Sequence, residues 1–340
     1  MSKKRTISFI VGFLTIAALA ACGANDAAPS SEVQQTPAAE ATAAPTETPA
    51  PTPEASATEG RLRPTVDREG YDISLPDEIN TIISIGPSNT ELLVALGYGG
   101  NIVSTDTFSW DVEGIAEDIA VLDMMALDAE FIINLQPDII IVTGMTRVGG
   151  EDPLTAVSNS GISVVYMPTS AGISEIIEDI RFIASVLGTD EAYEAAESII
   201  AHMEQEIDYV RNIARNITET RTVYFEISPA PWMYSFGRGV FLHELLEIIG
   251  AENIFEDQEG WLLVSDEILL SSNPDVILTN VDFIDDPVEE ILQRPGFDAV
   301  SAVQNGYVFV IDSAASSRAN HNIVIALRQM AEAIYPEYFK

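Results

Sequence analysis

The segment "EFIINLQPDIIIVTG" runs from Glu130 to Gly144, and "EILLSSNPDVILTN" runs from Glu267 to Asn280. Each opens on a glutamate, reads as a helix, meets a Pro-Asp pair at the same distance, and then enters an apolar run. Proline stops a helix by removing a donor and clashing with the preceding turn. The Ile/Val run after it, without polar alternation, describes a strand covered on both faces, which is the habit of parallel sheets flanked by helices. A chain that writes this helix–strand unit twice is expected to build two such sheets.

The flanking segments support that expectation. "TIISIG" (Thr81 to Gly86) reads as a buried strand, "NTELLVALGYG" as a helix stopped by Gly97, and "NIVSTD" as the next strand. "PLTAVSNSG" and "ISVVYMP" add another helix and strand. Beyond the middle of the chain the alternation resumes: "TVYFEIS" as strand, "GVFLHELLEIIG" as helix, then "GYVFVID" as strand and "NIVIALRQMAEAIYP" as the last helix. Between the two halves lie "GISEIIEDIRFIASVLG" (Gly172 to Gly188) and a stretch from Thr189 to Ile217 with neither Gly nor Pro. Roughly 26 helical residues at about 1.5 Å each would reach about 40 Å, enough to cross from one domain to another. The expected fold is therefore α/β: two Rossmann-like lobes with central, largely parallel sheets, over 71–188 and 221–340, joined by one long rigid α-helix over 189–217. A long surface helix within a single domain is the alternative, and the repeat favours the crossing.

The N-terminal region is of another kind. "MSKKR" is positive, "ISFIVGFLTIAALA" is apolar, and "LAAC" ends at Cys22, the chain's single cysteine. This is a secretory signal pattern over 1–22, and its ending is similar to a bacterial lipobox, which implies lipid attachment at Cys22. A plain signal peptide cut at an alanine pair is the alternative. Residues 23–60 are mostly Ala, Pro, Thr, Ser and Glu, too poor in large apolar groups to offset the entropy of ordering, and read as a disordered tether. The folded part is expected on the extracytoplasmic face of a cell membrane, held there by lipid. The net charge of −37, from 16 Lys and Arg against 53 Asp and Glu, argues against nucleic-acid partners.

Taken in order, "ISIGPSNTELLVALGYGGNIVSTD", "DAEFIINLQPDIIIVTG", "GAENIF", "VSDEILLSSNPDVIL", "AVSAVQNGYVFVID" and "SRANHNIVIALRQMAEAIYPEYF" resemble the ABC-transporter solute-binding proteins whose two lobes are joined by one helix and which bind iron-siderophores, cobalamin or haem. The resemblance covers about residues 71 to 340. It implies a monomeric receptor working with an ABC permease dimer and its cytoplasmic ATPase. It also implies one outer glutamate per lobe that docks onto permease arginines, by position Glu130 and Glu267. A glutamate in the first turn of a helix is equally explained by the helix dipole.

Open α/β sheets bind ligands beyond the carboxyl ends of their strands. That rule, applied to the two lobes, gives Ser88, Asn89, Phe108, Trp110, Met124, Met145 and Arg147 in the first lobe and Trp232, Tyr234, Arg238, Trp261 and Arg318 in the second. The aromatics offer flat apolar contact to a catechol ring or a corrin, and arginine suits a carboxylate or an anionic chelate. Phe108 and Trp261 also fit as core residues, and methionines more often pack than bind. The three arginines favour an anionic iron(III)-siderophore complex, and the aromatics would serve a corrinoid or haem equally. No cofactor is expected. No nucleophile–base pair and no nucleophile-elbow motif is readable, so the chain is not expected to be an enzyme. A bare zinc or manganese site would need converging histidines, and the chain has only His202, His243 and His321.

Overall fold

A computed structural model of the chain describes residues 62–147 and 152–339; Cys22 and the tether over 23–60 lie outside the described residues. In the first lobe, β1 (Ile82–Ile85) leads through α1 (Pro87–Ala95) to β2 (Ile102–Asp106) and β3 (Ala120–Leu122). α2 (Ala129–Leu135), β4 (Ile139–Thr143), α3 (Thr155–Asn159) and β5 (Ser163–Met167) follow. The sheet order is β3-β2-β1-β4-β5, all parallel. α4 (Ile173–Leu187) and α5 (Asp190–Ala214) then carry the chain to the second lobe.

There β6 (Thr222–Glu226), β7 (Tyr234–Phe236), α6 (Phe241–Ile249), β8 (Glu252–Asn253), β9 (Trp261–Leu263) and α7 (Asp266–Ser272) come first. β10 (Val276–Thr279), α8 (Pro287–Leu292), α9 (Ser301–Asn305), β11 (Val308–Val310), α10 (Ser313–Ser317) and α11 (Ile323–Ile334) complete it. The parallel sheet runs β11-β10-β6-β8, and β7 and β9 form a separate antiparallel ribbon. In both sheets the winding reverses beside the first strand, between β1 and β4 and again between β6 and β10. The two lobes thus share one four-strand winding, to which the first adds β3 at its edge and the second the β7–β9 ribbon.

The apolar strand runs are explained by burial on both faces. One cluster extends from Ile82 and Leu93 through Ile180, Ala196 and Met203 of α4 and α5 to Leu278 and Leu327 of the second lobe. A second cluster covers the other side of the first sheet, around Ile83, Ile132 and Ile140, and a third covers the second sheet around Tyr224, Leu269 and Ile277. α5 is 25 residues long, about 37 Å at 1.5 Å per residue. Thr189 caps it by accepting from the Ala192 amide.

The repeated phrase is α2–β4 in one lobe and α7–β10 in the other, down to single backbone angles. Each helix closes one residue before the proline, on a left-handed residue: Gln136 at φ 48° and Asn273 at φ 46°. Each aspartate then pins its strand to the first strand of the sheet. Asp138 Oδ2 accepts from the Asn80 and Thr81 amides and the Thr81 hydroxyl. Asp275 Oδ2 accepts from the amide and hydroxyl of Thr222. The Pro-Asp pair is thus a strand-start clasp, made twice.

Candidate functional site

The carboxyl ends of both sheets carry loops that buried polar groups hold in place. In the first lobe Gly86 makes the turn from β1 into α1 at φ 105°, a conformation that suits only glycine at low cost. Its amide donates to Asp106 Oδ2 at 2.8 Å. The same buried carboxylate accepts from the Phe108 amide at 2.8 Å and the Ser109 hydroxyl at 2.7 Å. Thr90 links Ser84, Thr105 and Ser109 through hydroxyl contacts of 2.8 to 3.3 Å. The network is enclosed, and what it holds out is not: Phe108 and Trp110 lie two and four residues after Asp106, and Trp110 is 83 % exposed.

The second lobe uses a buried ion pair for the same purpose. Glu226 ends β6 and is 1 % exposed; Arg294, 5 % exposed, meets it with two bonds of 2.6 and 2.8 Å. Burial works against the charged guanidinium, but the bonds to Glu226 and Glu290 outweigh it, and the Arg294 pKa lies above the ordinary arginine value. Arg294 also donates to Met233 Sδ at 3.3 Å, inside the loop that presents Trp232. Trp232 is 58 % exposed and Trp261, on β9, is 54 % exposed with its ring edge-on to Phe236. All three tryptophans of the chain therefore stand exposed on loops or ribbon at the strand ends. Phe283 after β10, Met125 after β3 and Met145 after β4 are exposed as well.

The remaining sequence candidates fall in varied places. Asn89 is buried and donates to the Ile85 carbonyl. Ser88 is half-buried, with its carbonyl accepting from Asn320 of the other lobe. Met124 is buried, and it is Met125 that faces out, a distinction of one residue that periodicity does not resolve. Tyr234 is half-buried on the ribbon. The three arginines differ sharply. Arg147 lies between the rings of Tyr71 and Tyr166, 3.9 and 3.6 Å from their centroids, and is paired with Glu69 and Asp152. Arg318 spans the lobes, pairing with Glu91 of α1 and with Asp111 at 2.7 Å. Arg238 is exposed and makes no side-chain ion pair among the described residues.

Asn320 and Asn322 also donate to Glu91, so three side chains of the second lobe converge on one carboxylate of the first. A cavity of about 320 Å³ lies on this seam, lined by Glu91, Val94, Asp111, Glu113, Arg318 and His321. None of the exposed aromatics lines it. Glu130 and Glu267 occupy the first turns of α2 and α7, both exposed, each followed by an exposed apolar residue, Phe131 or Ile268. A helix leading into a parallel strand begins at the carboxyl edge of the sheet, so both acids lie at the edge that carries the aromatics. Among the described residues no group of three or more His, Cys, Asp or Glu is placed to hold a metal ion. Sequence reasoning missed Asp106, Glu226 and Arg294; the Gly86–Asp106 and Glu226–Arg294 bonds join residues 20 and 68 positions apart.

Residues 82–315 match the model of a family described as periplasmic binding protein. The chain is 28 % identical over 279 residues to an uncharacterised ABC transporter substrate-binding lipoprotein of Bacillus subtilis, covering 81 % of this chain and 86 % of that one. It is 28 % identical over 204 residues to a vitamin B12-binding protein of Yersinia pestis, covering 58 % of this chain and 69 % of that one. Among solved structures, a possible iron-binding periplasmic solute-binding protein from Staphylococcus epidermidis superposes with a TM-score of 0.66 at 28 % identity, over 76 % of this chain and 100 % of that one.

Proposed function

The chain belongs to the periplasmic binding protein family and is a substrate-binding protein of the ABC-importer class, and on that premise we propose that it captures a metal chelate of the iron(III)-siderophore or corrinoid kind on the aromatic face between its lobes. The observation that carries this reading is the exposure of every tryptophan in the chain at the strand ends of both lobes. Tryptophan is among the costliest side chains to leave in water, and three of them exposed on strand-end loops and ribbon of the two lobes suit a surface that a large, partly apolar ligand covers. The work is capture and delivery, without chemistry. A relative named for vitamin B12 and a similar structure described as a possible iron-binding protein support a ligand of this kind.

Delivery falls to Glu130 and Glu267. They stand at equivalent points of two matching clasped units, so a permease dimer could engage one acid with each subunit. Cys22 carries the lipid that keeps the receptor at the extracytoplasmic face, a reading supported by the relative that bears lipoprotein in its name. Calorimetric titration of the full chain with ferrichrome, cyanocobalamin and haemin tests the capture step. We expect saturable one-to-one binding of at least one of them; heat of dilution alone from all three rejects the assignment.

A further inference from the structure

The charges around the aromatic face point in one direction. Arg147 is held by Glu69 and Asp152 and capped on both sides by tyrosine rings. Arg318 is held by Glu91 and Asp111. Each thus faces two carboxylates before any ligand arrives, and an anionic chelate would have to displace a carboxylate to reach either guanidinium. Arg294 is buried in its own acid pair. Arg238 alone, among the arginines at the described strand ends, is exposed without an acidic partner.

The acids are arranged the opposite way. Asp123 follows β3, Glu256 and Asp257 follow β8, and Asp282 and Asp285 follow β10, all exposed at the carboxyl ends of the strands. They alternate with exposed apolar groups: Met125 near Asp123, Trp261 after Asp257, Phe283 between Asp282 and Asp285. Aromatic faces attract cations through the ring quadrupole and repel concentrated negative charge. Exposed carboxylates after the strands of both lobes add a field of the same sign, and the chain's net charge of −37 reinforces it at long range.

Resting on the capture reading above, we infer that this site takes a chelate with no net negative charge and rejects anionic ones. Neutral or cationic hydroxamate-type iron complexes and neutral corrinoids fall on the accepted side. Tris-catecholate iron complexes, and haem with its propionates, fall on the rejected side. Rejection arises as much from the repulsive rim as from attraction to the right ligand, which is how many binding sites discriminate.

Three iron chelates of similar size and different charge separate the possibilities: monocationic ferrioxamine B, neutral ferrichrome and trianionic ferric enterobactin, with cyanocobalamin as a neutral corrinoid. Tryptophan quenching of the full chain is measured at low and high salt. We expect at least one neutral or cationic probe to bind, with the trianion weaker by about tenfold or more at low salt and the gap narrowing as salt screens the rim. Neutralising the rim with Asp282→Asn and Asp285→Asn together should narrow the same gap without added salt. Trianion binding equal to or tighter than that of every other probe overturns the inference and leaves the capture reading standing. Binding by none of the four probes overturns the capture reading, and this inference with it.

Discussion

Arg318 of the second lobe holds Asp111 of the first with one guanidinium nitrogen, Nη2, 2.7 and 2.9 Å from the two carboxylate oxygens. Its other terminal nitrogen takes Glu91. Asp111 is the neighbour of Trp110, so this pair both fastens the lobes and anchors the most exposed aromatic of the first lobe. Glu91 is largely enclosed, whereas Asp111 is partly solvated. Arg318→Ala should therefore cost about 2 kcal/mol, because it leaves an enclosed carboxylate short of its cation, while Asp111→Asn should cost under about 1 kcal/mol. Urea midpoints of the two variants check the order. Equal midpoints would mean that Glu91 is satisfied by Asn320 and Asn322 alone.

The strand-start clasps make a matched pair of predictions. Asp138→Ala removes the acceptor of two amides and a hydroxyl, and Asp275→Ala removes the acceptor of one amide and a hydroxyl. Each should destabilise the fold by about 1–3 kcal/mol, the usual consequence of stranding donors, and neither should change the affinity for ligand. Burial raises the Asp138 pKa, but the amide and hydroxyl donors outweigh it and leave the group below its ordinary value. Its contribution is therefore complete above the unfolded carboxylate range and is lost as pH falls through the lowered folded value. The acid limb of a stability profile should flatten in Asp138→Ala.

His321 gives a second pH effect of known sign. Burial lowers its pKa, with Glu91 opposing and His202 adding to the shift. The folded state thus favours the neutral ring. Stability from this group is fully present above the unfolded histidine value near 6.5 and declines as pH falls through the depressed folded value. His321→Gln should remove that slope between neutral and mildly acidic pH, read by thermal midpoints across the range. An unchanged slope would place its origin elsewhere.

Docking is separable from capture. Glu130→Ala with Glu267→Ala should leave chelate affinity intact and abolish uptake, and each single change should give a partial defect. An isolated exposed ion pair contributes little, but two made at once gain through effective concentration. Double reversal to arginine should be worse than alanine, since like charges would then meet. Ligand titration on the purified protein, paired with uptake of labelled chelate by cells, reports both halves. Normal uptake by the double alanine variant would reduce these residues to ordinary helix-start acids.

Much of this architecture was legible in the sequence because its signals are local. The Ile/Val runs, the Gly97, Gly188 and Gly250 stops and the repeated Pro-Asp phrase lie within a few residues of what they specify. The β7–β9 ribbon was not legible: its strands are three residues long, partly exposed, and Tyr234 pairs with Leu263 across a helix and a short strand. The strand ends were legible as places to look for a site, but the state of the arginines there was hidden. Glu69 is 78 residues from Arg147 and Glu91 is 227 residues from Arg318. Contacts of such range follow from the packing of completed lobes and leave no trace in local pattern. Phe108 and Trp110 could be named as candidates, while the role of Asp106, whose bond to the Gly86 amide crosses 20 residues, could not.

The most direct test of the central claim is intrinsic fluorescence with single tryptophan replacements. The full chain and the variants Trp110→Phe, Trp232→Phe and Trp261→Phe are titrated with whichever chelate binds the parent protein. Capture on an aromatic face shared by both lobes predicts that the parent is quenched almost completely. Loss of Trp110 from the first lobe, and of Trp232 or Trp261 from the second, should each remove part of the quenching and weaken binding several-fold, as expected when one ring of a stacking surface is changed. Saturable binding with unchanged tryptophan emission in the parent, and with the same affinity in all three variants, would contradict the account and move the ligand to another part of the molecule.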